Sequence, residues 1–254
     1  MIATADSVTE LVDVAGKVLV AGSHGGRVAA HYAASARARA VILNDAGIGL
    51  DEAGVAGLEL LDTIGMAAAA VSHRSARIGD GADMLARGIV SRVNRTAREV
   101  GVDARMRCSE AALVLTRARM PSGCLPQYLE GRYDFAPGVR GLDSIGMTQG
   151  GDAGFVLVIG SHAALHGARA QSALPVQAAF AFFNDAGGAV SRLPELERRG
   201  IGAAAVDCMS ARIGDARSMW ESGIVSFLNP SGERCGVRCG MTVREAAAAA
   251  QKTG

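Results

Sequence analysis

The sequence predicts an α/β protein made by tandem duplication of a Rossmann-like parallel-sheet unit, with two pseudo-symmetric halves. Three observations predict it. Ordered sequence blocks occur twice. Short apolar runs end at Gly, Ser or Asn, as buried parallel strands do. Those runs alternate with Ala-rich or 3.6-periodic stretches, the pattern of strand–helix–strand units.

The first half contains KVLVAGSHGG at 17–26, VILNDAGIG at 41–49 and SARIGDGADMLARGIVSRVN at 75–94. The second contains FVLVIGSHAA at 155–164, AFFNDAGGA at 181–189 and SARIGDARSMWESGIVSFLN at 210–229. The last pair is identical at 12 of 20 positions without a gap. The offset of 135 continues downstream, pairing Met106 with Met241 and Glu110 with Glu245, and Asp6-Ser7 echoes Asp143-Ser144 upstream. Repeats of about 20–50 residues build solenoids; this period is longer and indicates a duplicated domain. The expected division is a first repeat over 1–115, a Pro- and Gly-containing connector over 116–150, and a second repeat over 151–254. Between NDAG and SAR the second half is five residues shorter, the missing part corresponding to the region of Gly49–Gly54.

Val18–Ala21 is expected as a strand, Gly25–Ala38 as a helix and Ala40–Leu43 as a second strand. Leu58, Leu61 and Ile64 have helical spacing, which predicts a helix over 55–64. Met66–Val71 is a third strand. Ile89–Val93 fits either a fourth strand or a helical face through Leu85, Ile89, Val93 and Ala97, and the preceding Gly88 favours the strand. Thr242-Val-Arg-Glu245 has the form of a capping box. Ligands of open α/β sheets bind at the strand C-terminal ends, so the residues after each strand are the candidates.

Gly22-Ser23-His24-Gly25-Gly26 turns from strand to helix and resembles neither the G-x-G-x-x-G fingerprint nor a P-loop, which needs Lys. Its glycines serve either close packing or backbone approach to a ligand. The second copy keeps Ser161-His162 but has Ala163-Ala164. His24 and His162 are therefore candidate general bases, and Ser23, Gly25, Gly26 and Ser161 candidate substrate contacts. Asn44-Asp45 and Asn184-Asp185 are either Asx turns or working groups. In the second case Asp45 and Asp185 orient His24 and His162 or move protons, and Asn44 and Asn184 hold substrate.

Ser75, Arg77 and Asp80 recur as Ser210, Arg212 and Asp215. Arg77 and Arg212 either pair with the Asp three residues on or bind an anion. Ser75 is a candidate catalytic hydroxyl and Ser210 a substrate contact. Just upstream the halves diverge: Ser72-His73 stands against Asp207-Cys208. His73 and Cys208 are assigned to substrate binding, and Cys208 is either a nucleophile or an inert buried thiol.

These residues support an enzyme, a hydrolase or lyase acting on a polar or carboxylated metabolite. The alternative is a non-catalytic binding or regulatory module for an anionic metabolite. Metal-assisted chemistry is a third reading. Its local signal is His162-x-x-x-His166, without the Glu of H-E-x-x-H; in the first half it rests on proximity of His24, His73, Asp45 and Asp80. No metal-ligand set is predicted, and the motifs specify no cofactor. Aromatics at 4% and a net charge of +1 argue against nucleic acid. No apolar run reaches membrane-spanning length, and Met1–Glu10 lacks a basic n-region. Five scattered cysteines predict reduced thiols and a cytoplasmic protein. Few aromatics and long Ala-rich helices, whose smooth faces suit helix-to-helix contacts, predict a homo-oligomer.

Overall fold

The computed structural model describes residues 1–252. The chain divides into two units: residues 1–48 with 52–128, and residues 129–252 with Gly49–Asp51. Each unit carries one sheet.

Unit 1 has β1 (Ile2–Ala5), β2 (Val18–His24), β3 (Ala40–Asn44), β4 (Ala67–Val71) and β5 (Val90–Val93), hydrogen-bonded in that order. β1 to β4 are mutually parallel and β5 runs antiparallel to β4. Helices α1 (Arg27–Ser35), α2 (Gly57–Asp62), α3 (Gly81–Arg87), α4 (Arg95–Glu99) and α5 (Cys108–Leu115) connect and follow the strands. Side chains alternate across the central strands. Leu19, Val41, Leu43 and Ala70 pack with Ala29, Ala33, Leu58 and Leu61 on one face. Val18, Val20, Ile42 and Ala69 pack with Met84, Cys108, Ala112 and Leu115 on the other. A sheet covered on both faces explains why its central strands read as unbroken apolar runs.

Unit 2 repeats this plan. β6 (Arg132–Ala136) forms an extra hairpin with β7 (Val139–Leu142), followed by β8 (Val156–His162), β9 (Phe180–Asn184), β10 (Gly202–Val206) and β11 (Val225–Leu228). β7 to β10 are parallel and β11 is antiparallel to β10, as β1 to β5 are arranged in unit 1. Its helices are α6 (Arg192–Arg198), α7 (Ala216–Ser222), α8 (Pro230–Arg234) and α9 (Val243–Gln251). α9 begins with the expected capping box between Thr242 and Glu245.

The structure departs from the sequence reading in four places. The sheets are mixed, because a short excursion through α3 or α7 returns the last strand antiparallel. The leaders, read only as an echo, form β1 and β7. The stretch 116–150 holds β6 and β7 as well as loop. The described helices are short, nine residues at most, so the smooth long faces invoked for oligomerisation are not present.

The units differ at one helix. Where unit 1 has α1, unit 2 has the segment 163–179, which contains a single 3-10 turn at Ala170–Ser172. Arg192 fills the space beneath it. This fully buried guanidinium donates to the carbonyls of Ala164, Ser172 and Ala173. Burial pulls its pKa down to about 9, which still leaves it charged at neutral pH. Its backbone N–H bonds Ala163 O at 2.9 Å, as Gly57 N–H bonds Gly25 O at 2.9 Å in unit 1. A Cβ on Gly57 would lie 2.4 Å from Gly26 O, so unit 1 has no room for a side chain there.

Asn94 and Asn229 lock the last strand in each unit. Asn94 accepts from Ala68 N–H and Ala97 N–H and donates to Leu58 O and Met66 O. Asn229 does the same with Ala203, Gly232, Leu193 and Ile201. With all four amide bonds made inside the protein, burial of these polar groups is offset.

Candidate functional site

Parallel pairing carries the repeated motifs to one sheet edge. His24 at the end of β2 is in register with Asn44 at the end of β3, and Asn44 with Val71 at the end of β4. His162 and Asn184, and Asn184 and Val206, repeat this row in unit 2. Asp45 and His73, and Asp185 and Cys208, lie just beyond it.

Asp45 is the hub of unit 1. Its Oδ1 accepts from His73 Nδ1 at 2.7 Å, from His73 N–H at 2.9 Å and from Gly47 N–H at 3.2 Å. Its Oδ2 accepts from Ser91 Oγ at 2.8 Å. Burial disfavours the carboxylate, but the bonds from His73 and Ser91 outweigh it and bring the pKa below the ordinary value. Facing an ionised carboxylate, His73 Nδ1 must carry the proton. Nε2 is then the ring nitrogen turned away from the carboxylate, on a side chain that keeps 20% exposure.

Unit 2 builds the same cradle with a different occupant. Asp185 Oδ1 accepts from Cys208 N–H and Gly187 N–H, both at 3.0 Å, and Oδ2 from Ser226 Oγ at 2.8 Å. Burial, with Asp185 and Asp207 alongside, pushes the Cys208 thiol up to about 12, so it is a thiol and not a thiolate at neutral pH. Ligand atoms of Asp185, Asp207 and Cys208 lie within 4.8 Å of one another, the only such trio suited to a metal among the described residues. The His162 and His166 rings stand with centroids 5.7 Å apart.

Ser91 and Ser226 are absent from the sequence-based candidates. They reach the site because β5 and β11 run antiparallel, so the start of each strand lies at this edge. A signal existed: Gly-Ile-Val-Ser is identical at 88–91 and 223–226.

The Asp45 carboxylate, expected to orient His24, is taken by His73 instead. His24 Nδ1 accepts from Gly26 N–H at 3.1 Å, and His162 Nδ1 from Ala164 N–H at 3.3 Å. His24 is buried, and burial lowers its pKa to about 4. Asn44 donates to Ala76 O and accepts from Ala46 N–H; Asn184 repeats this with Ala211 and Ala186. These are Asx turns that hold Ala46 and Ala186 at φ 50° and 48°, a left-handed conformation costing a non-glycine roughly 1 kcal/mol.

Ser23 Oγ accepts from Val8 N–H and Ser161 Oγ from Ile145 N–H, tying each leader to the sheet edge. Ser75 Oγ donates to Ser72 O and accepts from Ile89 N–H; Ser210 does the same with Asp207 and Ile224. Both serines staple the turn that delivers the last strand. Arg77 pairs with Asp80 and Asp83 at 67% exposure, and Arg212 pairs with Asp215 and Asp51.

Gly25 and Gly26 admit the chain's own backbone. A Cβ on Gly25 would lie 2.8 Å from Gly54 O, and one on Gly26 would lie 2.7 Å from Ala53 O. Unit 2 lacks the five residues around this loop and tolerates Ala163-Ala164. Loop length and glycine content therefore changed together for packing reasons.

The chain matches no protein-family model, no curated protein and no solved structure. No described helix is long and apolar enough to cross a membrane.

Proposed function

We propose that the chain is a small-molecule enzyme, a hydrolase or lyase for a polar or carboxylated metabolite, with His73 of unit 1 as its general base. The observation that carries this reading is the Ser91–Asp45–His73 chain, in which the carboxylate fixes one imidazole tautomer and leaves Nε2 able to take a proton. As a hydrolase, His73 Nε2 removes a proton from water while the water oxygen adds to a substrate carbonyl. The same proton then goes to the departing amine or alkoxide. As a lyase, Nε2 removes a proton from the carbon beside the carbonyl, and the C–H electrons expel a β-substituent. Asp45 stabilises the imidazolium in both cases.

The base assignment moves from His24 to His73 because burial makes the His24 ring resist protonation. Unit 2 retains the cradle without the base, and in this proposal it binds a related ligand without turning it over. That accommodates the binding-module reading in one half of the molecule. A cytoplasmic setting, where the five free cysteines stay reduced, is part of the proposal.

The test is an activity screen over small amides, esters and β-substituted carboxylic acids, using the wild type, His73→Gln and Cys208→Ala. The reading expects at least a hundredfold loss of turnover in His73→Gln and little change in Cys208→Ala. Full activity in His73→Gln would refute it.

A further inference from the structure

Both mechanisms above place negative charge on the substrate's carbonyl oxygen, yet His73 and Asp45 handle only protons. Something else must meet that oxygen. His24 stands in the transverse row beside Asn44, one strand away from the Asp45–His73 cradle, at the same sheet edge. The residue is 8% exposed. The Gly26 N–H occupies Nδ1 as a donor, so Nδ1 must present its lone pair. In the neutral ring the single proton therefore sits on Nε2. No hydrogen-bond partner within the described residues takes that proton, and Nε2 is not among the enclosed orphan atoms of the protein.

We infer that His24 is a neutral hydrogen-bond donor that grips the carbonyl oxygen of the substrate through Nε2–H, which makes the ligand class a carbonyl compound and not a bare anion. The inference rests on the reading of His73 as the base. An imidazole polarises a carbonyl without giving up its proton when protonation of the ring is disfavoured, and burial does that here. The donor is preorganised, because the bond from Gly26 sets the tautomer and the ring plane before substrate arrives. Gly26 in turn cannot be replaced freely, since a Cβ there would lie 2.6 Å from His24 Nδ1. The ring and its backbone bond recur in unit 2 at His162 and Ala164.

The test is ring-nitrogen NMR on protein labelled with 15N-histidine. The chain has five histidines, so His24 is assigned by replacing the other four singly. At pH 7 the expected state of His24 is a protonated Nε2 and a bare Nδ1. Pyruvate, acetamide and inorganic phosphate are then titrated in as probes. The expected result is a saturable shift of the His24 Nε2–H resonance with pyruvate or acetamide, in the wild type and in His73→Gln alike. His24→Gln should weaken the same probe about tenfold. An Nδ1–H tautomer, an imidazolium at pH 7, a response to phosphate alone, or no response to either carbonyl probe overturns the inference. The two ideas fail separately. Turnover that survives His73→Gln refutes the base but leaves the His24 response intact; a silent His24 with turnover still dependent on His73 refutes only the donor.

Discussion

Lowering the pH should destabilise unit 1 through His24 in a window set by its two pKa values. In the unfolded chain the imidazole has a pKa near 6.5, and in the folded protein burial lowers it to about 4. Above the upper value both states are neutral, and the full stability is present. As pH falls below about 6.5 the unfolded chain binds a proton that the folded protein refuses, so stability drops. The slope is about 1.4 kcal/mol per pH unit between the two values. The loss is about 2 kcal/mol at pH 5 and about 3 kcal/mol at pH 4, a large share of a typical folding free energy of 5–15 kcal/mol. Asp45 has a lowered pKa and adds its own acid lability at lower pH, but a difference between variants removes that contribution. The assay is urea unfolding of wild type and His24→Gln between pH 8 and pH 4. Far-UV circular dichroism follows the unfolding. The wild type should lose its advantage over His24→Gln as pH falls. A difference that stays flat from pH 7.5 to pH 4.5 would refute the reasoning, because an imidazole whose pKa is lowered on folding must show this linkage.

Three further outcomes are expected. Gly25→Ala or Gly26→Ala should destabilise unit 1 by roughly 1–3 kcal/mol through overpacking against Gly54 O and Ala53 O, while Ala163→Gly should cost about 1 kcal/mol or less; thermal melts that rank them the other way contradict the packing argument. Cys208, with a thiol held near 12, should react with iodoacetamide at pH 8 roughly a thousandfold more slowly than a free thiol, as read by peptide mass mapping; rapid alkylation of the folded protein would show that it is a thiolate. Arg192→Leu should cost on the order of 3 kcal/mol, because the carbonyls of Ala164, Ser172 and Ala173 lose their donor, and Trp220 fluorescence during denaturation should report it; an unchanged midpoint would mean that the carbonyls find water.

The candidate site was partly legible because its residues follow strands. Ser23, His24, Asn44 and Asp45 come directly after apolar runs, and parallel pairing delivers such residues to one edge. Partner choice among them was not legible. Asp45 lies one residue past the row shared by His24 and Asn44, and only the path of the chain after β4 decides that His73 and not His24 reaches its carboxylate. Ser91 escaped notice for a related reason. Its strand runs against the others, and the side-chain period of two looks the same in either direction.

The sequence by itself determined the duplication, the central strands of the first half with the helices between them, and the set of polar residues that both halves preserve. Those are local or self-referential properties: period, composition and internal identity are read along one dimension. Only the tertiary structure decided what each residue touches. It assigned Gly25 and Gly26 to packing against the loop at 53–57, Asn44 to an Asx turn, Ser75 to a staple, and Arg192, a residue without any motif, to the space beneath the segment that stands where unit 1 has α1. Hydrogen bonds and close contacts form between segments tens of residues apart, and their partners follow from strand order and direction, which no local pattern encodes.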